Sequence, residues 1–437
     1  MKLTRLTLTN FRCFDDLEIH FDDKLTVLIA PNGAGKTTVL DAASVILSSF
    51  VGAFDMGKAH GFAPADARYA LVTEGDPTPE QQYPVDVCAT FSVPALENQS
   101  RQLSGPKNKT TVKGIARLID YGKQLMSDIR QQDTELPVIA YYGTGRLWKQ
   151  HKLMERQKIT SASRSMGYED CLSSSSSYLQ MQIWMKSATF AAVQEQQMPD
   201  TYPGLPVTKQ LQAVKNVVNE VLKHTGWHNF HYSISHDELA MQHKDRGILP
   251  VGMLSDGVRA MVSMTADLAW RCVKLNSARA EQAPASTPGI VMIDEVDMHL
   301  HPEWQQQVVG SLTSVFKHVQ FILTTHSPQV ISTVHSECIR ILDNGEVSFA
   351  PAGSKGAEST RMLKRLFQVD PRPVLDDNVR VLREYEKLVY DDNWDCIEAH
   401  ELRKELDNAF QGEEPKLTEL DVYIENRKWE RDLEEDS

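Results

Sequence analysis

The residues best suited to chemistry lie in two short stretches far apart in the chain. Ala30-Pro31-Asn32-Gly33-Ala34-Gly35-Lys36-Thr37, followed by Thr38, has the make-up of a phosphate-binding loop. Glycines at this spacing let the backbone curl so that successive N–H groups face phosphate oxygens, with a helix N-terminus behind them. Lys36 is placed to reach the β- and γ-phosphates, and the Thr37 hydroxyl to ligate Mg²⁺. Ala30 stands where such loops usually begin with glycine. It is tolerable if the backbone there keeps a negative φ, because Gly33 and Gly35 supply the permissive positions. The second stretch, Ile290-Val291-Met292-Ile293-Asp294-Glu295, is an apolar run ending in two carboxylates. One carboxylate can hold Mg²⁺ and the next can polarise an attacking water.

These side chains need strands and helices to carry them. Leu25 to Ile29 reads as a buried strand entering the loop, and Thr38 to Leu47 has helical spacing behind it. Ile290 to Ile293 reads as a central strand that delivers Asp294 and Glu295 at its C-terminal end. Phe321 to Thr325 is another apolar strand and ends in His326, either a phosphate contact or a core histidine. Leu254-Ser255-Asp256-Gly257 precedes a helix expected over Val258 to Leu275. A serine helix cap explains Ser255; the dipole of the helix behind it suits it equally to phosphate. Asp256 would then sit near phosphate. At the start of the chain, Met1 to Phe21 alternates apolar and polar, the pattern of two antiparallel strands turning near Asn10 to Phe14.

The chain has 437 residues, room for one large α/β domain with insertions or for several smaller units. Its 41% apolar and 24% charged residues are those of an ordinary soluble globular protein. A net charge of −13 argues against a protein that is basic all over, while leaving a local basic patch open. Six scattered cysteines with no CxxC pair argue against a zinc site or disulfide framework and for a reducing, cytoplasmic setting. The N-terminus opens on strand-like sequence without a signal region, and no stretch approaches the ~20 apolar residues of a membrane span, so no membrane partner is expected.

Between these motifs the reading is coarser. Leu71 to Thr73 and Tyr83 to Val93 are strand-like, and Gln81 and Gln82 are either surface residues or a Mg²⁺-sensing glutamine. Pro137 to Tyr142 suits a buried strand, with Gly143 to Arg146 as a tight turn at its C-terminal end that turns Arg146 toward phosphate. Beyond it, Trp148, Lys149, His151, Lys152, Arg156 and Lys158 form either a nucleic-acid contact or a solvated basic face. The serines from Ser173 to Ser177 mark a flexible turn; Tyr178 to Gln197 and Thr208 to Leu222 have helical spacing. Phe230 to Met241 alternates, and Asn276 to Pro288 reads as a surface linker. After Pro351, Val379 to Leu388 and Trp394 to Phe410 look helical, and the last 27 residues carry ten acidic against four basic side chains. The division expected is an N-terminal lobe over 1–150, a helical insertion over 151–225, a second lobe over 226–352 and an interaction tail over 353–437.

Taken in order, these motifs resemble the ABC-type ATPase heads of the RecF, structural-maintenance-of-chromosomes (SMC) and overcoming-lysogenization-defect (OLD) families. The resemblance implies an α/β fold, a P-loop head with a mixed N-terminal sheet over a doubly wound core. It implies ATP and Mg²⁺ as ligands. By the same resemblance Arg12, Asn32, Gly33, Ala34, Gly35, Lys36, Thr37 and Thr38 surround the phosphates and Thr37 and Asp294 hold the metal. Glu295, His326 and Lys36 would serve hydrolysis, while Ser255, Gly257 and Asp297 would lie at the interface with a second copy, Ser255 acting there in trans.

A more particular resemblance rests on Tyr141-Tyr142-Gly143-Thr144-Gly145-Arg146 and on Phe367-Gln368-Val369-Asp370-Pro371-Arg372-Pro373. It points to the ATPase subunit of Septu-type anti-phage defence, also seen in some retron operons. That implies a dimer or higher oligomer assembled with a separate HNH nuclease subunit that acts on DNA. No nuclease motif is expected in this chain. The alternatives are a RecF-like repair ATPase that clamps DNA, and an ATP-stabilised scaffold with little turnover.

Overall fold

The protein was analysed as a computed structural model; residues 1–71, 78–146, 163–174, 178–201, 206–343 and 345–435 are described. The basic residues between Trp148 and Lys158, and part of the Leu71-to-Thr73 run, lie outside the described residues. Contacts divide the chain into two units, Met1–Met362 and Leu363–Ser437.

The first unit begins with β1 (Leu3–Phe11) and β2 (Phe14–His20). Their alternating apolar residues face inward, and the strands pair antiparallel up to Phe11 opposite Phe14. Strand β3 (Leu25–Ile29) runs into α1 (Lys36–Val51). After the short pair β4 (Tyr69–Ala70) and β5 (Glu80–Gln81) come β6 (Val85–Phe91), β7 (Gln99–Leu103) and helix α2 (Ala116–Asp128). Strands β6 and β7 extend the first pair into an antiparallel sheet ordered β2-β1-β6-β7. Gln81 donates to Pro64 O and to the Tyr69 hydroxyl, an edge position remote in partners from the phosphate-binding loop.

Strand β8 (Val138–Tyr142) is followed by α3 (Leu179–Gln197) and α4 (Pro206–Val221), then by β9 (Trp227–Ser233), β10 (Glu238–His243) and β11 (Gly247–Pro250). The alternation of Phe230 to Met241 thus belongs to two antiparallel strands rather than one. Helix α5 (Asp256–Leu275) and the short α6 (Ala283–Ser286) lead to β12 (Gly289–Ile293), α7 (Pro302–Gln305), α8 (Val308–Val315), β13 (Val319–Thr324), α9 (Pro328–Ile331), β14 (Ile339–Asp343) and β15 (Glu346–Phe349).

The central sheet is ordered β15-β14-β3-β13-β12-β8. All its pairs are parallel except β14–β15, so the sheet is mixed. Strands β8, β12 and β13 are buried along their whole length, which is why they read as continuous apolar runs rather than alternating ones. The α/β class expected from the sequence holds. Because β3, β13, β12 and β8 are parallel neighbours, their C-terminal ends open on one edge of the sheet.

The Asn276-to-Pro288 stretch is not simply a surface linker. Asn276 is buried; its amide donates to Leu136 O and Thr287 Oγ1, both at 2.9 Å, and accepts from Leu136 N–H. Leu136 lies 140 residues away in sequence, beyond the reach of local composition.

Helix α10 (Ser359–Leu366) carries the chain into the second unit, made of α11 (Asp377–Tyr390), α12 (Ile397–Phe410) and α13 (Pro415–Glu435). The acidic terminal stretch is therefore helical. Val381, Leu382, Tyr385, Val389, Leu406, Leu417 and Leu420 form a core of their own there. Among the described residues no helix is long and apolar enough to cross a membrane.

Candidate functional site

The loop between β3 and α1 has the backbone that its glycines were expected to supply. Gly33 and Gly35 have φ of +80° and +95°, whereas Ala30 is not among the positive-φ residues. A side chain at Gly35 would also meet the Phe14 ring at 2.3 Å and Cys13 Sγ at 2.7 Å. The β1–β2 turn therefore packs directly on the loop. The first N–H groups of α1 have no acceptor within the helix, and with the helix dipole they make an anion seat. Beside the loop is a cavity of about 610 Å³, bounded by the β1–β2 turn, Pro31 to Ala34, Arg68 and the β14–β15 turn.

Lys36 Nζ donates to Ala30 O (2.9 Å) and Pro31 O (3.2 Å). Burial pulls its pKa below the ordinary lysine value, against the opposing charges of Asp294, Glu295 and Asp297. Thr37 Oγ1 donates to Asp294 Oδ2 at 2.8 Å, across 257 residues of sequence. Two neighbouring ligands on an octahedral Mg²⁺, each ~2.1 Å from it, stand about 3.0 Å apart. The Thr37–Asp294 separation and their hard oxygen donors fit that ion. Asn32 and Gly33 are exposed, Ala34 is half-buried and Thr38 is buried at the start of α1.

The second carboxylate stretch converges on the same edge. Asp294 is 2% exposed and also accepts from Thr324 Oγ1 at 2.6 Å. Thr324 Oγ1 in turn accepts the Glu295 N–H at 2.7 Å. Glu295 is half-buried at φ +47°, a left-handed turn at the end of β12. Asp297 accepts from Thr325 Oγ1 at 2.5 Å. His326 is half-buried, and burial together with the nearby Lys36 charge lowers its pKa, opposed by Asp297, Glu295 and Asp294. His301 caps α7, its ring accepting from Glu303 N–H, so the Leu300-His301-Pro302 stretch opens a helix.

Two arginines read as phosphate contacts are engaged by groups of their own chain. Arg146 is 2% exposed and turned inward: it donates to Asp294 O at 2.5 Å, Glu295 O at 2.6 Å and Gly143 O at 3.1 Å. Its turn does end β8 at the ligand edge, but the side chain folds beneath the carboxylates. The reason is that three carbonyls on two loops leave acceptors only a guanidinium fork can fill. Arg12, at φ +52°, donates to Asp41 Oδ2 (2.5 Å) and Asp66 Oδ1 (2.9 Å). Asp41 lies on α1 and also accepts from the Tyr141 hydroxyl at 2.9 Å. Arg12 thus ties the β1–β2 turn to α1 through carboxylates. Sequence reading passed over Asp41, Asp66 and Thr324, whose importance comes only from partners distant in the chain.

Ser255 is the N-cap residue of α5 and is exposed, yet its side chain makes no capping bond. Asp256, in the first turn of α5, pairs with Arg259. Gly257 is pressed against the turn after Asp297: a side chain there would lie 2.3 Å from His299 O.

A family described as an AAA domain matches residues 5–221. A second, described as an AAA domain and a proposed AbiEii toxin of a type IV toxin–antitoxin system, matches residues 177–332. Between them the two families take in every motif of the site. Together they make residues 5–332 of the chain AAA-type ATPase sequence. The ATPase chain is 41% identical over 193 residues to the Escherichia coli protein "Retron Ec83 probable ATPase", a match covering 44% of this chain and 35% of that one. It therefore spans about a third of that relative's length. It is 23% identical to "Retron Vc95 probable ATPase" of Vibrio cholerae serotype O1 biovar El Tor, over 92% of this chain and 86% of that one. "Septu protein PtuA" of Bacillus mycoides is 37% identical over 21% of this chain and 12% of its own. An SMC head domain from Thermotoga maritima overlays with a TM-score of 0.41 at 15% identity, covering 81% of this chain and 100% of that one, too loose a likeness to bear on function.

Proposed function

We propose that this ATPase binds ATP with Mg²⁺ on the edge formed by β3, β12 and β13 and hydrolyses it between two copies of itself. The observation that supports this reading best is the Thr37–Asp294 contact, which unites the two stretches at a spacing suited to one Mg²⁺. Arg12, Asn32, Gly33, Ala34, Gly35, Thr37 and Thr38 would line the phosphate side, with Lys36 giving up its loop carbonyls for phosphate oxygens. When bound, Mg²⁺ would neutralise charge on the terminal phosphates. Glu295 is the group to take the proton of the attacking water, and His326 is poised to hydrogen-bond the terminal phosphate. Ser255 and the free N-terminus of α5, together with Gly257 and Asp297, would complete the site of the opposite copy. The exposed, uncapping hydroxyl of Ser255 suits that use.

By likeness to the retron and Septu proteins, the ATPase would act in the cytoplasm in anti-phage defence, in an assembly with an HNH nuclease that acts on DNA. The second unit is then the natural region for oligomer or nuclease contacts. Three measurements test these readings. Glu295→Gln should abolish turnover and trap ATP-bound dimers in sedimentation, whereas unchanged behaviour would favour the scaffold. Ser255→Arg should prevent the dimer while leaving nucleotide binding by the monomer intact. Co-purification with the product of a neighbouring gene, followed by DNA-cleavage assays at varied ATP, tests the defence assembly. ATP-dependent, salt-sensitive DNA binding by the purified chain alone would point to the RecF-like clamp instead.

A further inference from the structure

We propose that Arg146 is a positioning residue for Glu295, holding the strained turn that aims its carboxylate. The proposal rests on reading Glu295 as the base of ATP hydrolysis.

Glu295 sits in the left-handed region at φ +47°, which side chains other than glycine rarely occupy unless the surroundings impose it. Two groups impose it here. Thr324 Oγ1 takes the Glu295 N–H at 2.7 Å, and the Arg146 fork takes the carbonyls on either side of the Glu295 Cα, with Nη1 on Asp294 O and Nη2 on Glu295 O. Nη1 also reaches Gly143 O at 3.1 Å, which joins the turn after β8 to the turn after β12. Among the described residues the hydrogen bonds of the Arg146 side chain go to main-chain carbonyls, and the residue is buried.

A buried cation with no hydrogen-bonded carboxylate among the described residues is expensive, so its presence calls for a return. Fixing both torsions around Glu295 is such a return, because the direction of the Cα–Cβ bond follows from them. Arginine is the residue for this work: its planar donors are pre-set to span two successive carbonyls, whereas a lysine ammonium would hold one at a time. The arginine is itself held. Its carbonyl accepts the buried Tyr178 hydroxyl at 3.0 Å, and Gly143 leaves no room for a side chain, since one would meet Ser174 Cβ at 2.7 Å. By contrast, the Asp294 carboxylate is fixed separately by Thr37 and Thr324. Thr324 serves both the carboxylate and the turn, whereas Arg146 bonds the main chain of the turn and not the Asp294 carboxylate.

That separation makes the test. Arg146→Lys and Arg146→Ala are compared with the wild type and with Glu295→Gln for ATP affinity, KM and kcat. A misplacement of about 1 Å costs on the order of 100-fold in rate, so Arg146→Ala should lose about that factor in kcat with KM and affinity unchanged. Arg146→Lys should lie between it and the wild type. Because Arg146 acts through Glu295, the double variant Arg146→Lys/Glu295→Gln should be no slower than Glu295→Gln alone, whereas general structural damage would add to it. If Arg146→Ala fails to fold, Arg146→Lys and the double variant still decide. An active wild type, an inactive Glu295→Gln and a full-rate Arg146→Lys would overturn the positioning role alone. A Glu295→Gln variant that turns over normally would overturn the reading of Glu295 and this role with it.

Discussion

Thr324 holds the carboxylate edge together through one buried hydroxyl, and Thr324→Val isolates what that hydroxyl does. Valine keeps the branched shape and the strand preference of threonine, and Thr324 is fully buried at the end of β13, so packing is nearly unchanged. Two hydrogen bonds disappear: the one given to Asp294 Oδ1 at 2.6 Å and the one received from Glu295 N–H at 2.7 Å. A bond to a charged acceptor contributes about 1.5–3 kcal/mol, and a buried N–H left without a partner costs about 1–3 kcal/mol. The expected destabilisation is about 3–4 kcal/mol, since Asp294 keeps its Thr37 donor. Thr324→Ser is the control: it keeps both bonds and loses one methyl, about 1 kcal/mol. Urea denaturation followed by circular dichroism should rank wild type above serine and serine above valine, with at least ~2 kcal/mol separating the two variants. Equal stability of serine and valine variants, or a valine variant within ~1 kcal/mol of wild type, would refute the reasoning.

Gly257→Ala should push the start of α5 off the turn after Asp297, because the new Cβ would lie 2.3 Å from a backbone oxygen; sedimentation should show ATP-dependent association lost while nucleotide binding survives, and an intact dimer would count against the interface. In the protein without added nucleotide, His326 should titrate below the ordinary 6.5, since burial and Lys36 disfavour the imidazolium. A folded-state pKa below the unfolded one means that protonation destabilises, so this histidine withdraws stability as pH falls below 6.5; an NMR midpoint at or above 6.5 would contradict the placement. In the second unit, Arg372 forks onto Glu414 at 2.7 and 2.9 Å and holds its carboxyl below the usual 4.5. This pair contributes stability above pH 4.5 that is lost as pH falls through the depressed folded value. Arg372→Met should flatten that acid dependence in thermal melts, and an unchanged slope would exclude the pair as its source.

Much of the site was legible because its chemistry is local. The positive φ of Gly33 and Gly35 follows from glycine within a few residues of chain, and Ala30 tolerates its place because its own backbone needs no such freedom. Strands β12 and β13 announced themselves as unbroken apolar runs because both faces are covered, and each ends on its polar residues where the sheet stops. Arginine was harder to place. Arg12 and Arg146 carry the same charge toward any phosphate, and their sequence neighbours suggested one. Their actual partners are Asp41 and Asp66, 29 and 54 residues on, and carbonyls 148 and 149 residues on. Asn276, read as linker, finds its partner across 140 residues.

By itself the sequence determined the pieces: a loop with the torsions and donors for phosphate, two strands with carboxylates and a histidine at their ends, and a helix that begins on a serine. Tertiary structure decided which of them meet. Parallel neighbours β3, β13 and β12 bring Thr37 within 2.8 Å of Asp294, while the buried Thr324 and Arg146 hold the Asp294–Glu295 turn from opposite sides. Local torsional preference extends over a few residues, whereas hydrogen-bond satisfaction in a water-free interior is settled only when the whole sheet has closed.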